Sequence, residues 1–187
     1  VGQTQHRLHD EHRRARELGD RVAALENELR RLSAEVATDP LTQVANRRGL
    51  VAEFEVERAR HQREGLTLSV GLLDIDNFKR LNDELGHAAG DVALKALAQA
   101  VRDALRPTDR VARFGGEEFV VLLRCADTGA ALTALERLRR NVSGYRFPQV
   151  EHITVSIGVT ALRSGDSPSS AFERADKAVY HAKQNGR

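Results

Sequence analysis

Two groups of acidic residues stand beside predicted strands, with a spacing suited to metal binding. Glu117 and Glu118 follow two glycines in the run RFGGEEF, residues 113–119, between two stretches with strand patterns. Asp74 and Asp76 end an apolar strand pattern upstream. Carboxylates that converge on one end of a sheet repel one another without a cation, which indicates a hard, oxygen-bound ion such as Mg²⁺. Because Mg²⁺ usually shares its ligands with substrate phosphates, a nucleoside triphosphate is the expected partner.

Several further motifs occur in order, and together they resemble the diguanylate cyclases of the GGDEF family, here with the signature GGEEF. They are DPLT at 39–42 with NRR at 46–48, DIDNFK at 74–79, ND at 82–83 with GH at 86–87 and GD at 90–91, VSIGV at 155–159, and ADKA at 175–178 with Tyr180, AK at 182–183 and GR at 186–187. The resemblance covers the chain from about residue 39 to its end. It implies that two GTP condense into cyclic di-GMP and two pyrophosphates. Each protomer of a dimer would hold one GTP, and the 3′-hydroxyl of one GTP would attack the α-phosphate of the other.

The resemblance also implies the metal ligands. Two Mg²⁺ ions per active site would be held by Asp74, the backbone carbonyl of Ile75, Glu117 and Glu118, with Glu117 and Asp74 as the catalytic residues. Such ions would offset the charge of the attacking and leaving oxygens and help to deprotonate the ribose hydroxyl. We interpret Asp76 as structural. The alternative for all these acids is that they are exposed residues at strand ends.

The nucleotide contacts implied by the resemblance involve seven residues. Guanine would be read by Asn82 and Asp91, and the acid at the second position favours GTP over ATP. Phosphates would be contacted by Lys79, Lys183 and Arg187 and would approach the backbone at Gly115 and Gly116.

The local sequence leaves alternatives open for these residues. Asn82 could be a helix C-cap and Asp91 an N-cap. The two glycines could form a hairpin turn with positive φ angles. The three cations could be solvated helix residues.

A product-inhibition site is the third feature implied by the resemblance. Arg106 and Asp109, in RPTD at 106–109, match the family's Arg-x-x-Asp motif, and Arg137 is a weaker candidate partner. Arginine can grip guanine acceptors and phosphates, so bound product could report its own level. Locally, an arginine at a helix end and an aspartate that opens a strand are also commonplace.

The first 38 residues have a different pattern, typical of a coiled coil. Apolar residues alternate in steps of four and three, at Leu18, Val22, Leu25, Leu29, Leu32 and Val36. This heptad seam predicts a partner helix and therefore a homodimer. Toward the start of the chain the same register places Ala15, Glu11 and Leu8 in the seam, so the apolar pattern is less regular there. The alternative is a single amphipathic helix packed on its own domain.

The domain boundary is predicted at Thr38, Asp39 and Pro40, which combine N-cap candidates with a proline. Residues 1–38 would form a dimerisation and signalling helix that controls the shared active site, and residues 39–187 the cyclase domain. One position departs from the family pattern: Gln43 stands where the family usually has glycine.

In residues 39–187, segments with the two-residue period of a strand alternate with segments that have the 3.6-residue period of a helix. We predict helices over 47–64, from Asp91 onward, around 132–142 and over 169–184, and strands over 66–74, 109–114, 119–123 and 153–160. The resemblance implies an α/β (α+β) fold: a central, mostly antiparallel sheet wrapped by helices, similar to adenylyl cyclase and polymerase palm domains.

The composition narrows the classes of protein. The formal net charge of +2, from 29 basic and 27 acidic residues, does not indicate a nucleic-acid binder. Cys125 is the single cysteine, which excludes an internal disulfide and fits a cytoplasmic, reducing location. There is no apolar run of membrane-spanning length. Because the chain contains no methionine, we expect a fragment whose upstream sensor domain is missing. The parent protein could also be anchored in a membrane.

The alternative function for the whole chain is a catalytically silent module that binds GTP or cyclic di-GMP.

Overall fold

The computed structural model describes residues 37–146, 150 and 152–184, together with helical positions scattered between residues 14 and 32. The chain divides into two compact units, residues 1–36 and residues 37–187. None of the helices among the described residues is long and apolar enough to cross a membrane.

The described part of the larger unit contains five strands and five helices. In chain order they are β1 (Ala45–Asn46), α1 (Arg47–Glu64), β2 (Leu68–Ile75), α2 (Phe78–Leu85), α3 (His87–Ala104), β3 (Arg110–Arg113), β4 (Glu118–Arg124), α4 (Thr128–Gly144), β5 (Val155–Ala161) and α5 (Pro168–Gln184). The strands form one sheet in the order β1-β3-β4-β2-β5. Only the short β1–β3 pair is parallel, and the other pairs are antiparallel. The predicted fold class is confirmed.

The sheet separates two hydrophobic cores, and β2, which lies between β4 and β5, is buried along its whole length. Its side chains alternate between the cores, as expected for a strand covered on both faces. Leu73 and Ile75 pack in the core that includes residues of α3 and α4. Val70 and Leu72 pack in the core that includes residues of α1 and α5. The end of β2 is therefore held rigidly by the packing on both sides.

Helix α5 lies very close to β5. A Cβ added at Gly158 would stand 2.2 Å from the carbonyl oxygen of Ala175 and 2.5 Å from the backbone nitrogen of Val179. Only glycine leaves room for the backbone of the helix at this distance. The contact sets where α5 lies along the sheet.

The structure corrects the sequence predictions between β2 and α3. Helix α3 begins at His87, one turn earlier than the predicted start at Asp91, and Gly86 is its N-cap. Gly86 is also the C-cap of α2, where its backbone N–H donates to the carbonyl of Asn82. Asp91 is therefore not an N-cap and Asn82 is not a C-cap. The sequence predictions also omitted the two-residue strand β1.

A tight turn opens the larger unit. The carboxylate of Asp39 accepts hydrogen bonds from the backbone nitrogen and the hydroxyl of Thr42, at 2.8 and 2.7 Å. It also lies 3.3 Å from Nη1 of Arg113, at the end of β3. Gln43 completes the turn in the left-handed region, with φ of 58°. This backbone conformation favours glycine, which gives a physical reason for the family's preference at this position.

Candidate active site

The three candidate catalytic acids converge at one edge of the sheet. Asp74, near the end of β2, lies opposite Glu118 of β4 and Ser156 of β5 in the strand register. The backbone N–H of Ile75 donates to the carbonyl of Glu117 at 3.4 Å. Asp74 is only 9% exposed. The pairing of β2 with β4 thus unites two motifs that are more than 40 residues apart in the sequence.

The electrostatics at this edge favour a bound cation. Burial raises the pKa of Glu117 above its usual range, and the neighbouring charges of Asp74 and Glu118 raise it further. Burial also raises the pKa of Glu118, with contributions from Asp74 and Asp176. The positive charge of Lys183 opposes the increase at both residues. A cation placed among these carboxylates would relieve their mutual repulsion.

Asp176 was not among the residues predicted for the site. It lies on α5 and is exposed, seven positions before Lys183 in the same helix. A spacing of seven places both residues on one helix face, so the helical period could have identified it once α5 was known to face the acids. Its charge adds to the negative potential around Glu118.

Lys183 is the residue of α5 that reaches the acids directly. Its Nζ atom lies 2.5 Å from Oδ1 of Asp74, which makes a charge-assisted hydrogen bond between the last turn of α5 and the end of β2. The predicted triphosphate contact at Lys183 is therefore inside the site. Arg187 lies outside the described residues.

The donor set suits Mg²⁺. Carboxylate and carbonyl oxygens are the ligands that this ion prefers, and it usually takes only one or two carboxylates from a protein, with phosphates and water completing its shell. Among the described residues, no three acidic, histidine or cysteine side chains form a ready-made metal cluster. Asp74, the carbonyl of Ile75, Glu117 and Glu118 could supply the protein's share of such a shell.

Asp76 has a structural environment. Its carboxylate accepts hydrogen bonds from the hydroxyls of Thr154 and Ser156, each at 2.7 Å. Its backbone N–H donates to the carbonyl of Thr154 at 2.9 Å. These bonds tie the end of β2 to the segment that leads into β5 and agree with the structural interpretation.

Of the two glycines of the signature, Gly115 provides space, and neither is required by a left-handed backbone. Both lie in the loop that joins the antiparallel strands β3 and β4, as predicted for a hairpin turn, but the prediction of positive φ angles is wrong for both. A Cβ at Gly115 would lie only 2.3 Å from Oε2 of Glu118, whereas a Cβ at Gly116 would meet no atom within 4 Å. The carbonyl of Gly116 accepts from Nη2 of Arg113 at 2.7 Å. Gly115 therefore leaves room for the candidate metal ligand itself.

Asn82 has an unusual environment for an amide side chain. Its Oδ1 atom is buried and has no hydrogen-bond partner among the described residues. Gly90 allows this position, since a Cβ there would stand 2.0 Å from Oδ1. A buried acceptor without a partner is costly, which makes Oδ1 of Asn82 a candidate contact for a ligand. Asp91 and Lys79 are exposed, on α3 and in the first turn of α2.

A cavity of about 350 Å³ adjoins the acids on the side of α1 and α5. Its walls include Glu118, Asp176 and an aromatic pair, Phe114 and Phe172, whose rings meet edge to face at 5.3 Å. The guanidinium of Arg47 lies 4.7 Å from the centre of the Phe114 ring. This cavity joins a cation and aromatic rings to a candidate metal ligand.

The three predicted product-inhibition residues line a single cavity. Arg106, Asp109 and Arg137 surround a space of about 320 Å³ between the ends of β4, α3 and α4. The carboxylate of Asp109 accepts from the backbone nitrogens of Arg106 and Arg124, both at 3.1 Å. Burial raises the pKa of Asp109. Cys125 is exposed on the wall of the same cavity.

Comparisons with known proteins agree with this geometry. Residues 36–187 match the family described as diguanylate cyclase, GGDEF domain. Diguanylate cyclase DgcP of Pseudomonas aeruginosa is 47% identical over 153 residues, which cover 80% of this chain and 23% of that protein. The matched part of this chain therefore spans less than a quarter of the length of DgcP.

Two solved structures are also similar. The coiled coil and GGDEF domain of DgcB from Caulobacter crescentus, in complex with c-di-GMP, superposes with a TM-score of 0.81 and 32% identity over 93% of this chain and 94% of that one. The active GGEEF domain of a diguanylate cyclase from Vibrio cholerae has a TM-score of 0.73 and 38% identity, over 78% of this chain and 94% of that one. With the family match over 36–187, the acids at the edge of the sheet and the GGEEF signature, this chain belongs to the diguanylate cyclase, GGDEF-domain family.

Proposed function

We propose that this chain is a GTP-dependent diguanylate cyclase, which condenses two GTP into cyclic di-GMP and two pyrophosphates. The observation that carries the proposal is the convergence of Asp74, Glu117 and Glu118 at one edge of the sheet. The name of DgcP and the family match support the same reaction. All four proposed metal-ligand positions are occupied by oxygen donors of the kind that Mg²⁺ binds.

The residues of this chain would position the nucleotide. Asn82 has a buried acceptor available for the N–H groups of guanine, and Asp91 supplies a second acceptor. Lys79, Lys183 and Arg187 would neutralise phosphate oxygens. The narrow turn at Gly115 and Gly116 would let phosphate approach backbone N–H groups.

The metal site would be formed by Asp74, the carbonyl of Ile75, Glu117 and Glu118. Two Mg²⁺ ions held there would stabilise the charge on the attacking and leaving oxygens and lower the pKa of the 3′-hydroxyl. In each half of the reaction, a bond forms between the 3′-oxygen of one GTP and the α-phosphorus of the other. The bond from that phosphorus to the bridging oxygen breaks, pyrophosphate leaves, and the hydroxyl proton passes to solvent. Two such steps close the ring.

The reaction requires two protomers, since each protomer would hold one GTP. The helical positions of the smaller unit support dimerisation: Leu18, Val22 and Leu25 are 62, 53 and 60% exposed, and Leu32 is 46% exposed. Leu29 and Val36, the other seam positions, lie outside the described residues. A coiled coil through this seam would raise the effective concentration of one cyclase domain near the other, and a change in its register would alter the shared site.

Product inhibition is proposed for the cavity lined by Arg106, Asp109 and Arg137. Two arginines and an acceptor in one cavity suit the phosphates and guanine edges of cyclic di-GMP. Because Asp109 also accepts two backbone hydrogen bonds, its replacement would disturb the local fold. Arg106→Ala is the cleaner test: cyclic di-GMP added at the start of the reaction should slow the wild type and leave this variant unaffected.

We also propose that the parent protein has an upstream sensor domain and that this chain is located in the cytoplasm. The match covers only 23% of DgcP, so that relative contains further segments beyond the shared domain. A cytoplasmic location agrees with a free, exposed Cys125.

The test is to incubate the purified chain with GTP and Mg²⁺ over a range of protein concentrations and to measure cyclic di-GMP and pyrophosphate. We expect product formation to rise more steeply than protein concentration and to vanish in Glu117→Ala. Bound GTP without product would instead support the silent binding module. Equal specific activity in monomeric and dimeric preparations would refute control through the coiled coil.

A further inference from the structure

Lys183 is paired with Asp74, which is also one of the proposed metal ligands. Its Nζ atom lies 2.5 Å from Oδ1 of Asp74, the most buried of the three candidate acids. The two side chains are 35 and 13% exposed. Asp74 is the buried member of the pair, so removal of Lys183 would leave a buried charge without compensation.

The positive charge of Lys183 also acts on the other two acids. It opposes the rise in the pKa of Glu117 and of Glu118 that burial and the neighbouring carboxylates cause. One side chain thus supplies positive charge to all three candidate ligands. A metal ion at the same edge of the sheet would have the same electrostatic role.

The ammonium group and a metal ion compete for Asp74. Oδ1 of Asp74 accepts a 2.5 Å hydrogen bond from Lys183, and to coordinate a metal ion it would have to rotate away from the ammonium group or release it. The ammonium group and a metal ion a few ångströms away would also repel each other. Release of Lys183 has a cost unless the ammonium finds another anionic partner. The triphosphate, which would arrive beside the last turn of α5, is such a partner.

We propose that Lys183 is a displaceable counter-ion that couples metal binding to nucleotide binding, by holding Asp74 until metal and triphosphate arrive together. The inference rests on the proposed function and extends it. Lys183 then opposes the binding of metal alone and supports the binding of the metal–nucleotide complex. Because coupling between two ligands is reciprocal, the same exchange makes each ligand assist the other.

The test measures metal binding to the full chain without nucleotide. Free Mn²⁺ is followed by its paramagnetic resonance signal for the wild type, for Lys183→Met, which keeps the apolar stem, and for Lys177→Met. Lys177 lies exposed on the same helix, so this control removes an equal charge elsewhere. We expect Lys183→Met to bind Mn²⁺ about tenfold more tightly than the wild type, a modest coupling factor, and Lys177→Met to bind as the wild type does. An added Asp74→Asn substitution should remove the gain.

A second measurement separates this role from a simple phosphate contact. With Mg²⁺ present, Lys183→Met should bind a GTP analogue with a methylene between the α- and β-phosphates more weakly than the wild type. Its unfolding temperature should also rise more on addition of Mn²⁺ than that of the wild type. If Lys183→Met does not fold, Lys183→Gln replaces it in both measurements. Because glutamine keeps a neutral donor near Asp74, its changes in Mn²⁺ binding and nucleotide binding should have the same direction and be smaller.

Unchanged or weaker Mn²⁺ binding by both Lys183 variants would overturn the inference. If Lys183→Met binds Mn²⁺ more tightly but the wild type forms no cyclic di-GMP, the proposed function is refuted and the counter-ion role stays in place.

Discussion

Glu118 shows how single residues of the site are placed for chemistry at the expense of stability. It shares a small space with Asp74 and Asp176, and burial together with their charges raises its pKa. Gly115 has no side chain in the space that the carboxylate of Glu118 occupies. The negative charge therefore disfavours the folded protein until a cation joins it.

We predict that Glu118→Gln stabilises the metal-free protein at neutral pH by about 1 kcal/mol and abolishes product formation. Because the folded-state pKa is raised, the ionised carboxylate costs stability above that pKa. This cost disappears as the pH falls through the raised pKa toward the ordinary value of 4.5. Urea unfolding in EDTA at several pH values measures the difference, and a variant less stable than the wild type at neutral pH would contradict the prediction.

Gly90 offers a test of Asn82 at a distance from the acids. We predict that Gly90→Ala costs about 1–3 kcal/mol through overpacking and weakens GTP binding, because the new methyl group would meet Oδ1 of Asn82. Gly129→Ala is the matched control in another helix, where the nearest atom would be 3.5 Å away. It should be neutral or stabilising. Calorimetric titration with the GTP analogue and thermal unfolding separate the two effects.

Gln43 carries strain that its family usually avoids. With φ of 58°, a residue with a side chain is disfavoured by roughly 1 kcal/mol relative to glycine. We predict that Gln43→Gly raises the unfolding free energy by about that amount, whereas Gln43→Ala does not. Chemical denaturation of both variants decides the matter, and equal changes in both would point to the lost Gln43 side-chain contact with Pro40 instead.

Among the elements, α5 brings two charged residues, Asp176 and Lys183, to the site. Its contact with β5 is set by Gly158. Near its start, Arg174 reaches back with Nη1 2.7 Å and Nη2 2.5 Å from the carboxylate of Asp166. Asp166 also accepts from the backbone nitrogen of Arg163 at 2.7 Å. These hydrogen bonds therefore fix the loop around Asp166 to the N-terminal half of α5, and the opposite end of the helix carries Lys183 to Asp74.

We predict that Asp166→Asn lowers stability at neutral pH by about 2 kcal/mol. Hydrogen bonds from Arg174 lower the pKa of Asp166 to about 2, from an ordinary 3.8. A lowered pKa contributes stability above the ordinary value, and this contribution is lost as the pH falls toward 2. The difference between wild type and variant should therefore vanish in strong acid.

Glu136 provides the comparison for that prediction. Its pKa is also lowered to about 2, by hydrogen bonds from Arg139 and Arg140, but its side chain lies on the surface at 43% exposure. Solvent and salt screen such a pair, so Glu136→Gln should change stability much less than Asp166→Asn. Similar losses in the two variants would show that the burial of Asp166 is unimportant.

For the whole molecule, assembly is the property on which the proposed reaction depends. A protomer that holds one GTP cannot complete a product made from two, so the proposed reaction depends on protein concentration wherever the dimer is weak. The exposed apolar positions of residues 18–32 form the proposed contact.

We predict that Leu25→Asp shifts the chain to monomer and lowers specific activity most strongly at low protein concentration, because a charge in the seam disfavours the paired helices. Ala24→Asp, next to it but outside the heptad seam, should dimerise as the wild type does. Sedimentation velocity and initial rates over the same concentrations provide the measurement. A monomeric Leu25→Asp variant with full activity would contradict the need for the dimer.

The sequence by itself determined what depends on local spacing. Strict alternation around Ile157 predicted β5, the helical period predicted helix 47–64 with the bounds that α1 has, and the acids of the two motifs predicted where a cation would be needed. These features are readable because side chains repeat every two residues in strands and every 3.6 in helices.

Only the tertiary structure decided which distant residues meet. It placed Lys183 on Asp74, brought Asp176 near Glu118 and left Oδ1 of Asn82 without a partner beside Gly90, among the residues that the structure describes. It also moved the start of α3 to His87. The physical reason is that strand register and helix approach depend on packing between segments far apart in the chain, which no local period records.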